Sequence, residues 1–216
     1  MSSCCHSDSC AGTNKFFSRW SKTYAKQFKK KGLEKLQKYL VDSVKREIAQ
    51  PKRILDIGCG VGALHLTLLK EGAERGVGID VAEGMINQAR MNAKELGVED
   101  RVEYILNDFV QVADSVESAD VTFLDKVVCC YENLEALLRT SMQKTDRVYA
   151  LTHPRDNWFV RFGFKAHIAI LKLFRAKFHP SWHDWIQMDE TIRAGGFQLA
   201  HEHRTIMWHA RVYRRI

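Results

Sequence analysis

The chain has 216 residues, 45% hydrophobic and 27% charged, with 3 prolines and 13 glycines. That length suits one sizeable core, and so little proline and glycine argues against a long linker; a single domain over 14–216 behind a mobile, cysteine-rich tail at 1–13 is expected. The net charge of +7 is compatible with acidic ligands, nucleic acid or anionic membrane, whereas no uncharged apolar run approaches the ~20 residues of a membrane span. The polar start lacks the apolar centre of a secretory signal, so with 6 cysteines the expectation is a cytoplasmic protein whose thiols are free or metal-bound.

In chain order, residues 14–50 read as two helices broken at Gly32. Phe16, Phe17, Trp20, Tyr24 and Phe28 recur at helical spacing in the first, and Leu33, Leu36, Leu40, Val44 and Ile48 form the apolar stripe of the second. From Pro51 the pattern changes to strands alternating with helices. Strands are predicted at 53–57, 76–80, 102–106, 119–124 and 147–152, with helices at 64–70, 83–96 and 133–142 between them. Such alternation implies a parallel sheet with right-handed crossovers. A helical insertion follows, within about 155–183, and then a helix near 184–194 stopped by Gly195 and Gly196. Two last strands, at 197–205 and 207–213, have almost no gap between them and therefore pair antiparallel. The expected fold class is α/β, a Rossmann-like doubly wound sheet of seven strands closed by an antiparallel hairpin, with N-terminal helices.

Asp56-x-Gly58-x-Gly60-x-Gly62 lies between the first strand and the first crossover helix. Glycines there permit positive φ and close approach of backbone to a ligand, at the strand ends where open α/β sheets bind ligands. Asp80 ends the second strand, where a carboxylate can accept from both hydroxyls of a ribose. Asn107, Asp108 and Phe109 end the third and offer a polar cap and an aromatic face for an adenine. Gly58, Gly60 and Ala63 also fit a dinucleotide fingerprint. Asp56 argues against that reading, because its carboxylate would repel a pyrophosphate and attract an ammonium. The cofactor expected is S-adenosyl-L-methionine.

The run Ile54-Leu-Asp-Ile-Gly-Cys-Gly-Val-Gly62, with the strand pattern to about 152 and the closing hairpin, resembles the class I S-adenosylmethionine-dependent methyltransferase family. The resemblance implies that Asp56 and the loop glycines hold the methionine part, that Asp80 binds ribose, that Asp108 and Phe109 frame adenine and that Asp125 closes the pocket. It also implies a sheet order of 3-2-1-4-5-7-6, and an aromatic cover from Tyr24. The nucleic-acid amine methyltransferases of the family carry an Asn/Asp-Pro-Pro-Tyr/Phe box after strand four. This chain has Asp125-Lys-Val-Val-Cys-Cys-Tyr131 there, so a nucleic-acid acceptor loses support and a small-molecule acceptor is expected. The segment from Tyr149 to Asp156 and the insertion after it are loosely similar to magnesium-protoporphyrin O-methyltransferases.

For the transfer itself, His153 is the first candidate base, since an imidazole titrates near neutral pH, and Tyr131 the second, as a positioning hydroxyl. Arg155 is placed to pair with an acceptor carboxylate. Cys129 and Cys130 lie near the expected transfer site, and Cys4, Cys5, His6 and Cys10 crowd the tail. They support an alternative, a sulfur- or metalloid-directed transferase. The tail spacing does not match a structural zinc site, and no metal site is assigned. His201 and His203 fall on one face of a strand and, with His209, read as surface or pocket wall. Residues 158–178, where aromatics alternate with Arg161, Lys165, Lys172, Arg175 and Lys177, read first as a lid or packed helix, and second as a peripheral contact with anionic membrane. A cofactor-binding regulatory module without chemistry is the remaining alternative.

Overall fold

A computed structural model describes residues 8–173, 178 and 180–216. Its centre is a seven-stranded sheet of order β3-β2-β1-β4-β5-β7-β6. The strands are β1 (Arg53–Ile57), β2 (Arg75–Asp80), β3 (Val102–Leu106), β4 (Ala119–Leu124), β5 (Thr145–Pro154), β6 (Phe197–Arg204) and β7 (Trp208–Arg215). β1 to β5 are parallel, and β7 runs antiparallel to both β5 and β6. The helices are α1 (Asp8–Lys31), α2 (Lys35–Glu47), α3 (Ala63–Lys70), α4 (Glu83–Glu95), α5 (Phe109–Val112), α6 (Leu134–Gln143), α7 (Trp158–Leu173) and α8 (Trp185–Ala194).

Strand alternation divides the core into two faces. Leu55 and Ile57 of β1, Tyr149 and Leu151 of β5 and Tyr213 of β7 pack against α5, α6 and α8. Ile54, Val148, Ala150, Ala210 and Val212 turn the other way, against α2, α3 and α4. Both faces are buried, as a parallel sheet requires.

Three departures from the sequence reading matter for function. α1 begins at Asp8, so residues 8–13, read above as tail, are helical in this structure. β5 runs on to Pro154, two residues past the expected end, because its pairing with β7 continues through His153–His209 and Pro154–Trp208. The helix α5 after β3, capped by the Asp108 side chain accepting from the Val110 amide, was not anticipated. Cys4, Cys5 and His6, and Phe174, Arg175 and Lys177 of the insertion, lie outside the described residues.

α2 is fixed at its N-terminus by Glu34 and Gln37, the Gln37 side chain accepting from the Glu34 amide at 3.1 Å. Gly32 separates α1 from α2 in a left-handed conformation, φ +68°, which glycine adopts without steric cost. Among the described residues no helix is long and apolar enough to cross a membrane.

Candidate functional site

The C-terminal ends of β1, β2, β3 and β4, roofed by α1 and the start of α2, enclose a cleft of about 220 Å³. Asp56, Gly58, Gly60, Asp80, Asn107, Asp108, Phe109, Asp125, Tyr131, Cys130 and Tyr24 all line it. Segments far apart in sequence thus meet at one sheet edge.

The loop after β1 is built from three left-handed glycines, Gly58 at φ +65°, Gly60 at +54° and Gly62 at +85°. They do different work. A methyl group on Gly58 would lie 2.4 Å from Val127 Cγ2, and one on Gly62 2.7 Å from Leu66 Cδ1, so both are locked by packing. A methyl group on Gly60 would meet nothing within 4 Å. Gly60 therefore presents bare backbone to the cleft, while Gly62 shapes the turn and caps α3 without lining it.

Asp80 anchors this loop. Its Oδ2 accepts from the Gly60 amide and its Oδ1 from the Ala82 amide, each at 2.8 Å. Burial pushes its carboxyl up to about 6, and the two amides oppose that rise. Each oxygen keeps a lone-pair direction for a hydroxyl donor.

Asp56 is only 2% exposed. It shares the face of β1 that carries Ile54, so it looks toward α3, where His65 is wholly buried. His65 Nδ1 lies 2.7 Å from Asp56 Oδ2, and His65 Nε2 lies 3.0 Å from the Tyr104 hydroxyl. Nδ1–H donating to the carboxylate fixes its rotation. Sequence reasoning missed His65 and Tyr104. The available signal was a histidine among the leucines of a mostly apolar helix, nine residues after the aspartate near the end of β1.

At the far end of the cleft, β4 delivers Asp125 and Lys126. Asp125 Oδ1 accepts from Thr152 at 2.7 Å and its Oδ2 from the Gln37 amide group at 2.9 Å. Burial raises its carboxyl above the ordinary range. Lys126 has φ +59°, the single non-glycine residue at positive φ among the described residues, a strained backbone that clusters at functional sites. Its Nζ meets Glu34 Oε2 at 2.7 Å and lies 5.9 Å from the Trp208 ring centre. Lys126, too, was missed, since nothing in the sequence marks a lysine for a left-handed turn.

Tyr131 donates to Asp108 Oδ1 at 2.7 Å, and burial together with that carboxylate pushes its phenol above the ordinary range. Cys129 and Cys130 have their sulfurs 3.9 Å apart; only Cys130 lines the cleft, while Cys129 is buried and its thiol raised.

The structure puts His153 and Arg155 elsewhere, which corrects the sequence reading. Because β5 continues past Thr152, alternation sends His153 to the same face as Tyr149 and Leu151, beneath α8. It is 2% exposed, its ring 4.9 Å from that of Trp185 and 5.0 Å from that of His209, and burial lowers its pKa to about 3. A neutral imidazole so placed has no route to the cleft. Arg155 is spent on the β6–β7 turn, its Nη1 donating to the Thr205 carbonyl at 3.1 Å. His201 pairs with Glu47 at 2.8 Å and His203 lies against Tyr39. Among the described residues no group of three metal-ligating side chains converges.

The charge of the lining decides which ligand fits. Asp56, Asp80, Asp108, Asp125 and Glu34 face one lysine, Lys126. Such a wall repels phosphates and attracts a cation. A ligand with ammonium and sulfonium groups and a ribose fits this wall and the bare backbone at Gly60.

Comparison with known proteins agrees with this geometry. Residues 54–148 match the family model of a methyltransferase domain. The chain is 24% identical over 166 residues to the 24-methylenesterol C-methyltransferase 2 of Arabidopsis thaliana, covering 72% of this chain and 44% of that protein. A shorter stretch of 71 residues is 39% identical to the ribosomal protein L11 methyltransferase of Alteromonas mediterranea, covering 32% of this chain and 24% of that one. This chain thus spans less than half the length of these curated relatives. In fold it is similar to the magnesium protoporphyrin IX methyltransferase of Synechocystis PCC 6803 crystallised with S-adenosylhomocysteine, at a TM-score of 0.71 and 20% identity over 97% of this chain and 100% of that one. Residues 54–148 thus match a methyltransferase domain, and the chain as a whole shares its fold with that solved methyltransferase.

Proposed function

We propose that this chain transfers a methyl group from S-adenosyl-L-methionine to a small organic acid whose carboxylate pairs with Lys126. The observation that carries the reading is Lys126, the single lysine or arginine among the described lining residues, which holds a counter-charge at the β4 end of an otherwise acidic cleft.

S-adenosyl-L-methionine, when bound, supplies an electrophilic methyl group on a sulfonium. The residues of the chain hold and shield it. Asp80 accepts from the ribose hydroxyls while still bracing Gly60. Asp56, turned by His65, faces the ammonium. Asn107 and Asp108 serve the adenine edge, and Phe109 its ring. Asp125, tied to Thr152 and Gln37, closes the remaining side. Tyr24, 41% exposed, and Phe17 cover the mouth and exclude water, which strengthens each of these interactions.

An alcohol or phenol acceptor needs a base. Tyr131 is a weak candidate, with its phenol raised and donating to Asp108, so its role here is to position. His153 and Arg155 take no part in this reading. An acceptor that arrives ionised needs no base, and alignment beside the methyl group suffices. Lys126 supplies the counter-charge, and the acceptor displaces Glu34 from it.

The test is transfer of labelled methyl into a cell extract separated into small-molecule, lipid, protein and RNA fractions. Label in acidic small molecules or acidic lipids, lost on mild base hydrolysis of methyl esters, supports the reading. Label confined to protein or RNA sinks it. A second reading rests on the close Cys129 and Cys130 sulfurs. If Cys130→Ser abolishes turnover at unchanged cofactor affinity, the acceptor is soft, a thiol or metalloid. Cofactor binding with no adenosylhomocysteine formed leaves a regulatory module.

A further inference from the structure

α7 is an amphipathic helix turned inside out. Its inward face is narrow: Val160 is buried and Phe164 packs on Trp182 at 5.2 Å. Its outward face carries Trp158 at 81% exposure, Phe162 at 70% and Leu173 at 78%. These fall at helical spacing on one side, with Phe159 and Ile170 beside them. Isolated exposed apolar residues need no explanation, but a contiguous row of aromatics does.

A second segment extends the same patch. The Arg155 amide donates to the Met207 carbonyl at 2.8 Å. This sets the β6–β7 turn, with Ile206 at 75% exposure and Met207 at 57%, beside the start of α7.

The charge of this stretch of sequence has one sign. Residues 158–182 hold Arg161, Lys165, Lys172, Arg175 and Lys177 and not one carboxylate. Arg161 and Lys165 lie three and seven residues after Trp158, along the flank of the apolar row. The carboxylate met there belongs to Asp156, 3.3 Å from Arg161. Arg161 also lies 5.6 Å from the Trp182 ring centre. An aromatic row with a basic flank matches the interface of an anionic bilayer, where tryptophan and phenylalanine sit at the headgroup boundary and cations meet lipid phosphates.

Phe178, Ser181 and His183 lie against residues of the cleft and of its β4 end. Phe178 stacks on Phe16 at 5.0 Å and meets Phe17, a lining residue, at 5.4 Å. The Ser181 amide donates to the Cys129 carbonyl at 2.7 Å, and His183 Nε2 lies 2.8 Å from the Tyr131 carbonyl.

We propose that α7 and the Ile206–Met207 turn dock on an anionic lipid bilayer, and that the acceptor is a lipid-soluble acid taken from that surface. The second half rests on the function proposed above; the first does not.

The test is flotation of the full chain with phosphatidylcholine vesicles, with and without phosphatidylglycerol. Binding to the anionic vesicles and not to the neutral ones is expected. Trp158→Ser with Phe162→Ser should weaken it by roughly tenfold or more, and Lys165→Glu should weaken it by severalfold. Both variants change exposed side chains, so thermal stability and cofactor affinity measured alongside should hold. Wild-type chain that stays off anionic vesicles overturns the proposal. So does a double variant that floats undiminished, or a concentration-dependent dimer that protects Trp158 from a quencher in solution. Vesicle binding without label in any acidic small molecule or lipid leaves the docking surface standing and overturns the acceptor.

Discussion

The two halves of the sheet are built on different principles. On the β1–β2–β3 side the site is mainly backbone: left-handed glycines and amides bonded to Asp80, at the ends of short parallel strands. On the β4–β5–β7–β6 side it is side chains drawn from distant segments, with Lys126 meeting Glu34, Asp125 meeting Gln37 and Thr152, and Phe178 meeting α1. Backbone geometry tolerates little change, whereas side-chain assemblies can be rebuilt for a new acceptor.

If that contrast is right, substitutions in the glycine loop and its braces should cost binding and stability together, whereas substitution of Lys126 should move acceptor kinetics alone. The largest effect belongs to Gly58→Ala, which adds a methyl group 2.4 Å from Val127 Cγ2 at φ +65°. Left-handed strain and overpacking together should cost about 2–5 kcal/mol in denaturant unfolding, and cofactor affinity should fall roughly a hundredfold. Gly60→Ala has room for its methyl group and should bear only the strain, about 1–2 kcal/mol. An equal loss at both positions would break the argument that packing locks one and not the other.

Next comes His65→Leu, which leaves the buried Asp56 carboxylate without its partner. A loss of about 2–4 kcal/mol is expected, with weaker cofactor binding by calorimetry and no change in acceptor KM. Unchanged cofactor affinity would show that Asp56 needs no orienting partner.

Asp80 gives a pH test. Its carboxyl titrates near 6 in the free protein, and ribose hydroxyls donate to the ionised form. Cofactor affinity should therefore be level above pH 6 and fall as pH drops through it, by roughly tenfold per unit. Asp80→Asn should bind weakly and lose this dependence. A wild-type profile flat down to pH 5 would reject the assignment.

On the acceptor side, Lys126→Met should raise acceptor KM by roughly tenfold, about 1.4 kcal/mol, and leave cofactor affinity alone. The smallest effect on catalysis is expected at His153. With its pKa lowered to about 3 by burial, the folded chain holds it neutral. The unfolded chain takes up a proton below about 6.5, so its contribution to stability is complete above that value and is lost as pH falls toward 3. His153→Gln should flatten that acid limb in thermal unfolding and leave kcat within about twofold. A loss of kcat by roughly a hundredfold would restore His153 as the base.

Much of the fold was legible because its signals are local. Strands at 53–57, 102–106 and 119–124 were bounded by turn residues and charge, and the Asp56–Gly62 loop carries its own conformational requirement in its glycines. The antiparallel hairpin followed from the lack of chain for a crossover. Less local matters escaped. The end of β5 could not be read, because pairing with β7, some sixty residues on, decides it; parity with Tyr149 and Leu151 would have buried His153 had the strand been drawn longer.

What the sequence determined by itself, then, was the parallel sheet, the glycine loop and the acidic residues at the strand ends. These depend on spacing and on backbone conformations that few residues adopt. The tertiary structure alone decided which groups share a bond. It gave Asp56 a buried histidine, turned Lys126 left-handed against Glu34, withdrew His153 and Arg155 from the cleft and left the apolar row of α7 facing outward. Contacts of that kind arise from how helices seat on the sheet, and no local pattern in the chain encodes the distance between side chains that meet only after folding.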